Sequence, residues 1–210
     1  MKNSRVIAIG DIHGEIEKLN SLLKKLEPKK EDTLIFLGDY IDKGKHSKEV
    51  IEKLLKLQKQ TNCIFLKGNH EDMLLKAYNT RNEKDVTLWL LNGGLETYEN
   101  YGDFEKIFFM HKDFFENLKP YYLTEKYLFV HAGINNEKTL QMQDENDLFY
   151  VRFEFINKSH PFSQKIIFGH TPFDEPHLQN DKIGIDTGCG NYPDGKLCAF
   201  ICEEENFIFS

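Results

Sequence analysis

Short apolar runs alternate with amphipathic segments near the start of the chain, and this alternation narrows the possible folds more than any other feature. The runs at 6–9, 34–37 and 63–66 have the length of buried strands. After the first run, apolar residues fall on one helical stripe: Ile16, Leu19, Leu22, Leu23 and Leu26. After the second run, Ser47 is predicted to cap another amphipathic helix. The βαβαβ order predicts parallel strands covered by helices, because crossovers between parallel strands are right-handed.

The middle of the sequence has a different pattern of apolar and aromatic residues. Residues 73–120 form longer, mostly helical segments rich in Phe and Tyr, interrupted by Asn92-Gly93-Gly94. No linker rich in Pro, Gly or Ser isolates them, so we predict a helical insertion beside the sheet, within one domain that spans residues 1–210. The second half is predicted to be mostly β, with strand-like runs at 127–130, 165–168, 183–185, 197–201 and 207–209.

Charge and cysteine content exclude several classes of protein. With 27 Lys and Arg against 34 Asp and Glu, the net charge of −7 argues against a non-specific nucleic-acid binder. No run approaches the ~18 apolar residues of a membrane span, and we expect neither a signal peptide nor a membrane anchor. The cysteines are predicted to be reduced core thiols of a cytoplasmic protein. They are Cys63, Cys189, Cys198 and Cys202.

Polar side chains follow five of the strand-like runs, at the point where each run ends. In chain order they are Asp11, His13, Asp39, Asn69, His70, His131 and His170. The carboxyl edge of the strands is where open α/β sheets build their sites. Glycine directly precedes four of them and lets the chain turn sharply off a strand. These four are Asp11, Asp39, Asn69 and His170.

Asp, Asn and His supply the oxygen and nitrogen ligands that divalent metal ions bind, and the absence of cysteine from the set argues against a thiolate zinc site. Each residue alone has a simpler explanation, since strand-end Asp often caps a helix and most single histidines are core residues. Capping does not explain why all five strand ends carry such residues. The pattern therefore predicts a metal site.

The motifs around these residues resemble those of a known family. GDIHG, GDYIDKG, GNHE, HAG and GHT are similar, in this order, to the five motifs of the calcineurin-like metallophosphoesterases. The motifs have the form found in the phosphoprotein phosphatases, and they most resemble those of the bacterial serine/threonine protein phosphatases. The resemblance implies an α/β metallophosphoesterase fold, a central β-sandwich of mixed sheets flanked by helices, with the helical insertion at about 73–120.

The resemblance also implies a site for two divalent metal ions, with Mn expected and Fe, Zn or Co also possible. Asp39 would bridge the two ions, and a water between them would lose its proton near neutral pH. The resulting hydroxide would attack phosphorus in line. The ligands of the first ion would be Asp11, His13 and Asp39. The ligands of the second ion would be Asp39, Asn69, His131 and His170.

Four further residues receive roles from the same resemblance. His70 would be the general acid, oriented by Asp42, and Lys43 and Arg152 would bind the substrate phosphate. Lys43 stands where the family has arginine, so a planar fork of donors is replaced by a point charge. The stretch NYPDGKL after the strand-like run at 183–185 is longer than the short turn that the family leads us to expect, which bears on specificity.

Together these features predict a metal-dependent phosphomonoester hydrolase, with phosphoserine or phosphothreonine in proteins as the preferred substrate. Two enzymatic alternatives stay open: a symmetrical dinucleoside tetraphosphate hydrolase and a small-molecule or nucleotide phosphatase. A non-catalytic metal-binding scaffold is the least expected, because every proposed ligand position is filled. The physiological substrate, the native metal and the oligomeric state are left open by the sequence.

Overall fold

Ten strands form two five-stranded sheets in the computed structural model, which describes residues 4–210. The strands are β1 (Val6–Ile9), β2 (Thr33–Phe36), β3 (Asn62–Phe65), β4 (Tyr121–Leu123), β5 (Tyr127–Val130), β6 (Lys165–Phe168), β7 (His177–Leu178), β8 (Lys182–Gly184), β9 (Cys198–Ile201) and β10 (Asn206–Phe209). The first sheet has the order β10-β9-β1-β2-β3 and the second the order β4-β5-β6-β8-β7. Strands β1, β2 and β3 are parallel, as the βαβαβ pattern predicts. Both sheets are mixed, because β9, β10, β4 and β7 pair antiparallel.

The helices α1 to α8 cover the outer faces of both sheets. Their bounds are α1 (Ile16–Leu26), α2 (Ser47–Gln58), α3 (Asn69–Thr80), α4 (Glu83–Trp89), α5 (Leu95–Tyr101), α6 (Phe104–Glu116), α7 (Glu145–Phe149) and α8 (Phe153–Ile156). A kinked segment, Leu90–Gly94, joins α4 to α5, because Asn92 and Gly93 leave the helical conformation there, and a 3-10 turn, Leu140–Met142, precedes α7. The predicted insertion is thus helical from α3 to α6.

Alternation along the strands builds three apolar layers. In β1, Ile7 and Ile9 face the helical side with Leu19 and Val50. Ala8, between them, faces the second sheet, because successive strand side chains point to opposite faces. The layer between the sheets also contains Ile35, Leu66, Phe129, Ile167 and Phe200. A third layer joins the outer face of β5 and β6 to α7 and α8. This confirms the predicted β-sandwich of mixed sheets flanked by helices.

Two local predictions need correction. Ser47 does not cap α2: His46 occupies the cap position, and the Ser47 hydroxyl accepts a hydrogen bond from the Asp42 N–H at 3.1 Å instead. The helical insertion begins earlier than residue 73, because α3 starts at Asn69 and so places Asn69 and His70 in its first turn. The short edge strands β4 and β7 are also absent from the sequence prediction.

The structure also bears on the predictions for the cysteines and for membrane-spanning segments. All four cysteines are free and buried, as predicted. Within residues 4–210, no helix combines the length and apolarity that crossing a membrane requires. The assignment of residues 1–210 to a single domain stays a prediction, and its first three residues lie outside the described part of the chain.

Candidate active site

The residues that follow the strand ends converge at one edge of the two sheets. The first sheet contributes those that follow β1, β2 and β3, and the second sheet contributes His131 after β5 and His170 after β6. Two groups form whose ligand atoms lie within 4.8 Å of one another: His13, Asp39 and His70, and Asp39, His131 and His170. Asp39 belongs to both groups, which is the position that a bridging carboxylate requires. All these residues are buried.

The ring orientation of two histidines leaves a lone pair pointing into the site. His13 Nδ1 lies 3.1 Å from the Ile41 carbonyl oxygen, and His131 Nδ1 lies 3.0 Å from that of Leu37. Because a carbonyl oxygen only accepts, both Nδ1 atoms carry the proton and both Nε2 atoms are unprotonated, the form that binds a cation. The Nε2 atoms lie 3.6 and 3.5 Å from the Asp39 carboxylate.

The donor set fits divalent cations. The Asn69 side-chain oxygen lies 3.0 Å from His131 Nε2, and since both atoms are acceptors, a shared cation would satisfy the pair. His170 Nε2 is buried and has no hydrogen-bond partner within residues 4–210. Buried polar atoms are rarely left unpaired, and a bound ion would satisfy this nitrogen too.

Asp11 lies beside His170 at the meeting of the two sheets. Its carboxylate accepts the backbone N–H of His170 at 3.1 Å. A side chain at Gly169 would run into this carboxylate, which explains the glycine before His170. Burial first, then the nearby Asp186 and Asp39, raise the pKa of Asp11 well above its usual value. A bound cation would relieve this repulsion.

Asp39 has the opposite electrostatic environment. Burial disfavours its charged form, but His131, His70 and His13 outweigh burial and hold the pKa of Asp39 below its usual range. A lowered pKa favours the ionised carboxylate, which is the form that binds cations.

His70 forms a buried pair with Asp42. Its Nδ1 lies 2.8 Å from Asp42 Oδ2, which leaves Nε2 facing the site. Asp42 is fully buried and also accepts from Trp89 Nε1 at 3.1 Å and from the Thr97 hydroxyl at 2.7 Å. Burial lowers the pKa of His70, but the carboxylates of Asp39 and Asp42 outweigh it, so the net pKa is raised. This arrangement suits a group that donates a proton.

The helical insertion supplies Trp89 and Thr97, and sequence reasoning missed both. Trp89 is the only tryptophan of the chain and is completely buried. It precedes the Asn92-Gly93-Gly94 turn, to which the sequence interpretation gives no catalytic role. That turn was the available signal for a contact with the site, because a conformational break inside a helix needs a reason.

Glu71 is a second residue that sequence reasoning missed, although it lies in the GNHE motif. Its buried carboxylate accepts backbone N–H groups from Asp39 at 2.9 Å, Tyr40 at 2.8 Å and Gly68 at 3.0 Å. Asp39 and Asp42 have φ values of 52° and 71°, in the left-handed region that is costly for residues other than glycine. Glu71 thus ties down the strained turn that carries both carboxylates.

Of the two predicted phosphate-binding cations, Lys43 contacts the residues of the site directly. Lys43 Nζ is 2.9 Å from His13 Nε2 and 2.6 Å from the side-chain oxygen of Asn191. Arg152 is exposed and directly precedes α8. Burial, then His131 and to a smaller extent Arg152, lower the pKa of His170 to about 2. Asn191 lies in the lengthened stretch after β8 and was not singled out from the sequence.

Two known proteins are similar to this chain over most of its length. Serine/threonine-protein phosphatase 2 of Escherichia coli is 32% identical over 202 residues, which cover 87% of this chain and 87% of that protein. The asymmetrical bis(5'-nucleosyl)-tetraphosphatase PrpE of Oceanobacillus iheyensis is 29% identical over 239 residues, covering 97% of this chain and 91% of that protein.

Structural similarity extends over nearly the whole chain. A protein serine/threonine phosphatase structure from Saccharomyces cerevisiae superposes with a TM-score of 0.66 at 18% identity, covering 99% of this chain and 79% of that one, which establishes the shared fold. The family model for calcineurin-like phosphoesterases matches residues 4–209. The chain therefore belongs to the calcineurin-like phosphoesterases, a family of metal-dependent phosphoester hydrolases.

Proposed function

We propose that this enzyme hydrolyses phosphomonoesters, and that its preferred substrates are proteins phosphorylated on serine or threonine. One observation carries the proposal: His70 Nδ1 is held 2.8 Å from Asp42, so its Nε2 faces the site. A serine or threonine alkoxide is a poor leaving group and needs a proton as the ester bond breaks. His70 can supply that proton, and Asp42 keeps its ring oriented.

The proposed metal ligands are those that the motif resemblance implies, and four of them, His13, Asp39, His131 and His170, belong to the two groups around Asp39. We assign Asp11, His13 and Asp39 to one ion, and Asp39, Asn69, His131 and His170 to the other, with Mn as the expected metal. When bound, such ions supply Lewis acidity toward phosphoryl oxygens and activation of water. Lys43 and Arg152 would bind the phosphate, with Arg152 offering two parallel N–H donors.

The E. coli serine/threonine phosphatase supports this choice of substrate, because it is 32% identical and the alignment covers 87% of each protein. A second candidate is the asymmetrical cleavage of dinucleoside tetraphosphates. Relatives of that name support it, and the one from O. iheyensis aligns with 97% of this chain. The symmetrical reaction, expected as an alternative from the motifs, differs from this one in the bond that breaks.

A hydrolysis panel with Mn²⁺-loaded protein tests the proposal. The substrates are a phosphoserine peptide, p-nitrophenyl phosphate and diadenosine tetraphosphate. We expect the highest kcat/KM for the phosphopeptide. A higher value for the dinucleotide would overturn the preferred substrate, and its products would then identify the reaction: ATP plus AMP for asymmetrical cleavage, two ADP for symmetrical cleavage. No turnover of any substrate would favour a binding scaffold.

A further inference from the structure

Lys43 is held by parts of the chain that are far apart in sequence. Its backbone N–H donates to the Gly93 carbonyl oxygen at 3.0 Å, and its φ is 65°. Gly93 has a φ of 98°, and a Cβ there would come within 2.8 Å of Lys43 Cγ. The helical insertion therefore packs directly on the backbone of Lys43, and glycine is required for that approach.

The ammonium of Lys43 has two partners. It lies 2.9 Å from His13 Nε2 and 2.6 Å from Asn191 Oδ1. His13 Nδ1 donates to the Ile41 carbonyl oxygen at 3.1 Å, so Nε2 is the unprotonated nitrogen and accepts from Lys43. An imidazole nitrogen has a single lone pair. Acceptance from Lys43 and ligation of a metal ion by His13 Nε2 therefore exclude each other.

We propose that Lys43 alternates between His13 and the substrate phosphate. Its ammonium donates to the His13 lone pair until that lone pair binds a metal ion. The ammonium then binds the phosphate, and Asn191 holds it at the site in both arrangements. The proposal rests on the proposed function, because it takes Lys43 as a phosphate-binding residue. It makes Asn191 a positioning residue that acts through Lys43. Binding of the ion that His13 ligates is thereby coupled to binding of the phosphate by Lys43.

Asn191 is placed to do this by the lengthened stretch after β8. Its backbone N–H donates to the Gly188 carbonyl oxygen at 2.9 Å, which fixes the turn. Its side-chain oxygen accepts from Lys43, and an amide oxygen can accept from an ammonium without neutralising its charge. The ammonium therefore keeps its attraction for a phosphate when the contact with His13 is broken.

The first test measures Mn²⁺ binding by isothermal titration calorimetry, without any substrate. Lys43→Met keeps the length of the side chain but removes the donor and the charge. We expect one of the two Mn²⁺ binding events to tighten roughly tenfold, which corresponds to ~1.4 kcal/mol. Lys45→Met is the matched control, because Lys45 is exposed and lies two residues further along the same turn. We expect its change to be less than about twofold.

The proposal is wrong if Lys43→Met leaves both Mn²⁺ affinities unchanged, if both binding events tighten equally, or if Lys45→Met has the same effect as a general consequence of lost charge. Thermal unfolding verifies that each variant is folded. Should Lys43→Met fail to fold, Lys43→Ala replaces it with the same expected result.

The second test measures binding of inorganic phosphate to the Mn²⁺-loaded protein, again by calorimetry. We expect Asn191→Ala to weaken phosphate binding about fivefold in the wild-type background and to have no further effect in the Lys43→Met background, as a residue acting through Lys43 must. Asn180→Ala, at an exposed asparagine outside the site, should change nothing. Additive effects of Asn191→Ala and Lys43→Met would overturn the positioning role. Both tests measure binding, so they are independent of whether the substrate panel identifies a phosphoprotein phosphatase.

Discussion

At the scale of single residues, the role of His70 has a competing interpretation. It lies within 4.8 Å of His13 and Asp39 ligand atoms, so it is close enough to be a metal ligand itself. If it is the general acid, His70→Asn should keep both metals. The rate should fall by ~10²–10⁴ for a phosphoserine peptide and much less for p-nitrophenyl phosphate, whose leaving group needs no proton.

Metal analysis and kinetics on both substrates check this prediction. His46→Asn, at an exposed histidine, is the control and should behave as the wild type. Loss of a metal ion from the His70 variant, or an equal loss of rate on both substrates, would mean that His70 has another role.

Lys43 and Arg152 give a second prediction at this scale. Arginine presents two parallel N–H donors where lysine presents one rotatable ammonium, so Lys43→Arg should leave phosphomonoester activity unchanged or raise it. Lys43→Ala should lower kcat/KM, and Arg152→Ala should lower it more. The measurement is made at saturating Mn²⁺, so that a change in metal affinity does not enter. Wild-type kinetics of Lys43→Ala on all three substrates would leave Lys43 without a role in phosphate binding.

At the scale of strands and helices, Asp32 connects the starts of two parallel strands. It precedes β2, and its carboxylate accepts from Arg5, which precedes β1, through the backbone N–H at 3.1 Å and Nη2 at 2.6 Å. Asp32 is 1% exposed. Removing a buried, charged partner leaves donors unpaired, so Asp32→Asn should lower the free energy of unfolding by about 1–3 kcal/mol.

This stabilisation should depend on pH. Burial tends to raise the pKa of Asp32, but the hydrogen bonds from Arg5 and Lys29 outweigh it and lower the pKa below its usual value. The contribution is therefore fully present above the unfolded-state pKa of about 4 and is lost as the pH falls through the lower folded-state value. Urea unfolding of wild type and Asp32→Asn at pH 7, 5 and 3.5 should show a difference that shrinks only below about pH 4. Glu31→Gln, next to it and exposed, is the control. A difference independent of pH would contradict the ion pair.

Local sequence patterns could predict some contacts of the candidate site but not others. The residues around Asp39 were predictable because each follows its own strand within a few positions, so periodicity and turn residues locate them. The partners of Asp42 were not, because Trp89 and Thr97 lie 47 and 55 positions away on other helices. Asn191 is 148 positions from Lys43. Such contacts depend on how the insertion and the last loop pack, which local patterns do not determine.

For the whole molecule, the distribution of the proposed ligands has a consequence for stability. Asp11, Asp39 and Asn69 follow strands of the first sheet, whereas His131 and His170 follow strands of the second. An ion held by ligands from both sheets connects the two halves of the sandwich and binds the folded chain only. Metal binding should therefore raise the unfolding temperature, with a gain of about 2.7 kcal/mol at a free Mn²⁺ concentration of 100 times the dissociation constant.

Asp39 should matter most for this coupling, because it lies in both ligand groups. We expect chelation to abolish activity, Mn²⁺ to restore it, and Mn²⁺ to raise the melting temperature of the wild type. Asp39→Asn should reduce both the activity and the Mn²⁺-dependent shift at least as much as Asp11→Asn, since it weakens two sites where Asp11→Asn weakens one. Asp113→Asn, at an exposed aspartate on α6, should keep the full shift. Calorimetry and metal analysis check the result: two ions bound to Asp39→Asn at unchanged affinity would contradict the bridging role, and full activity of the chelated wild type would contradict the metal-dependent mechanism.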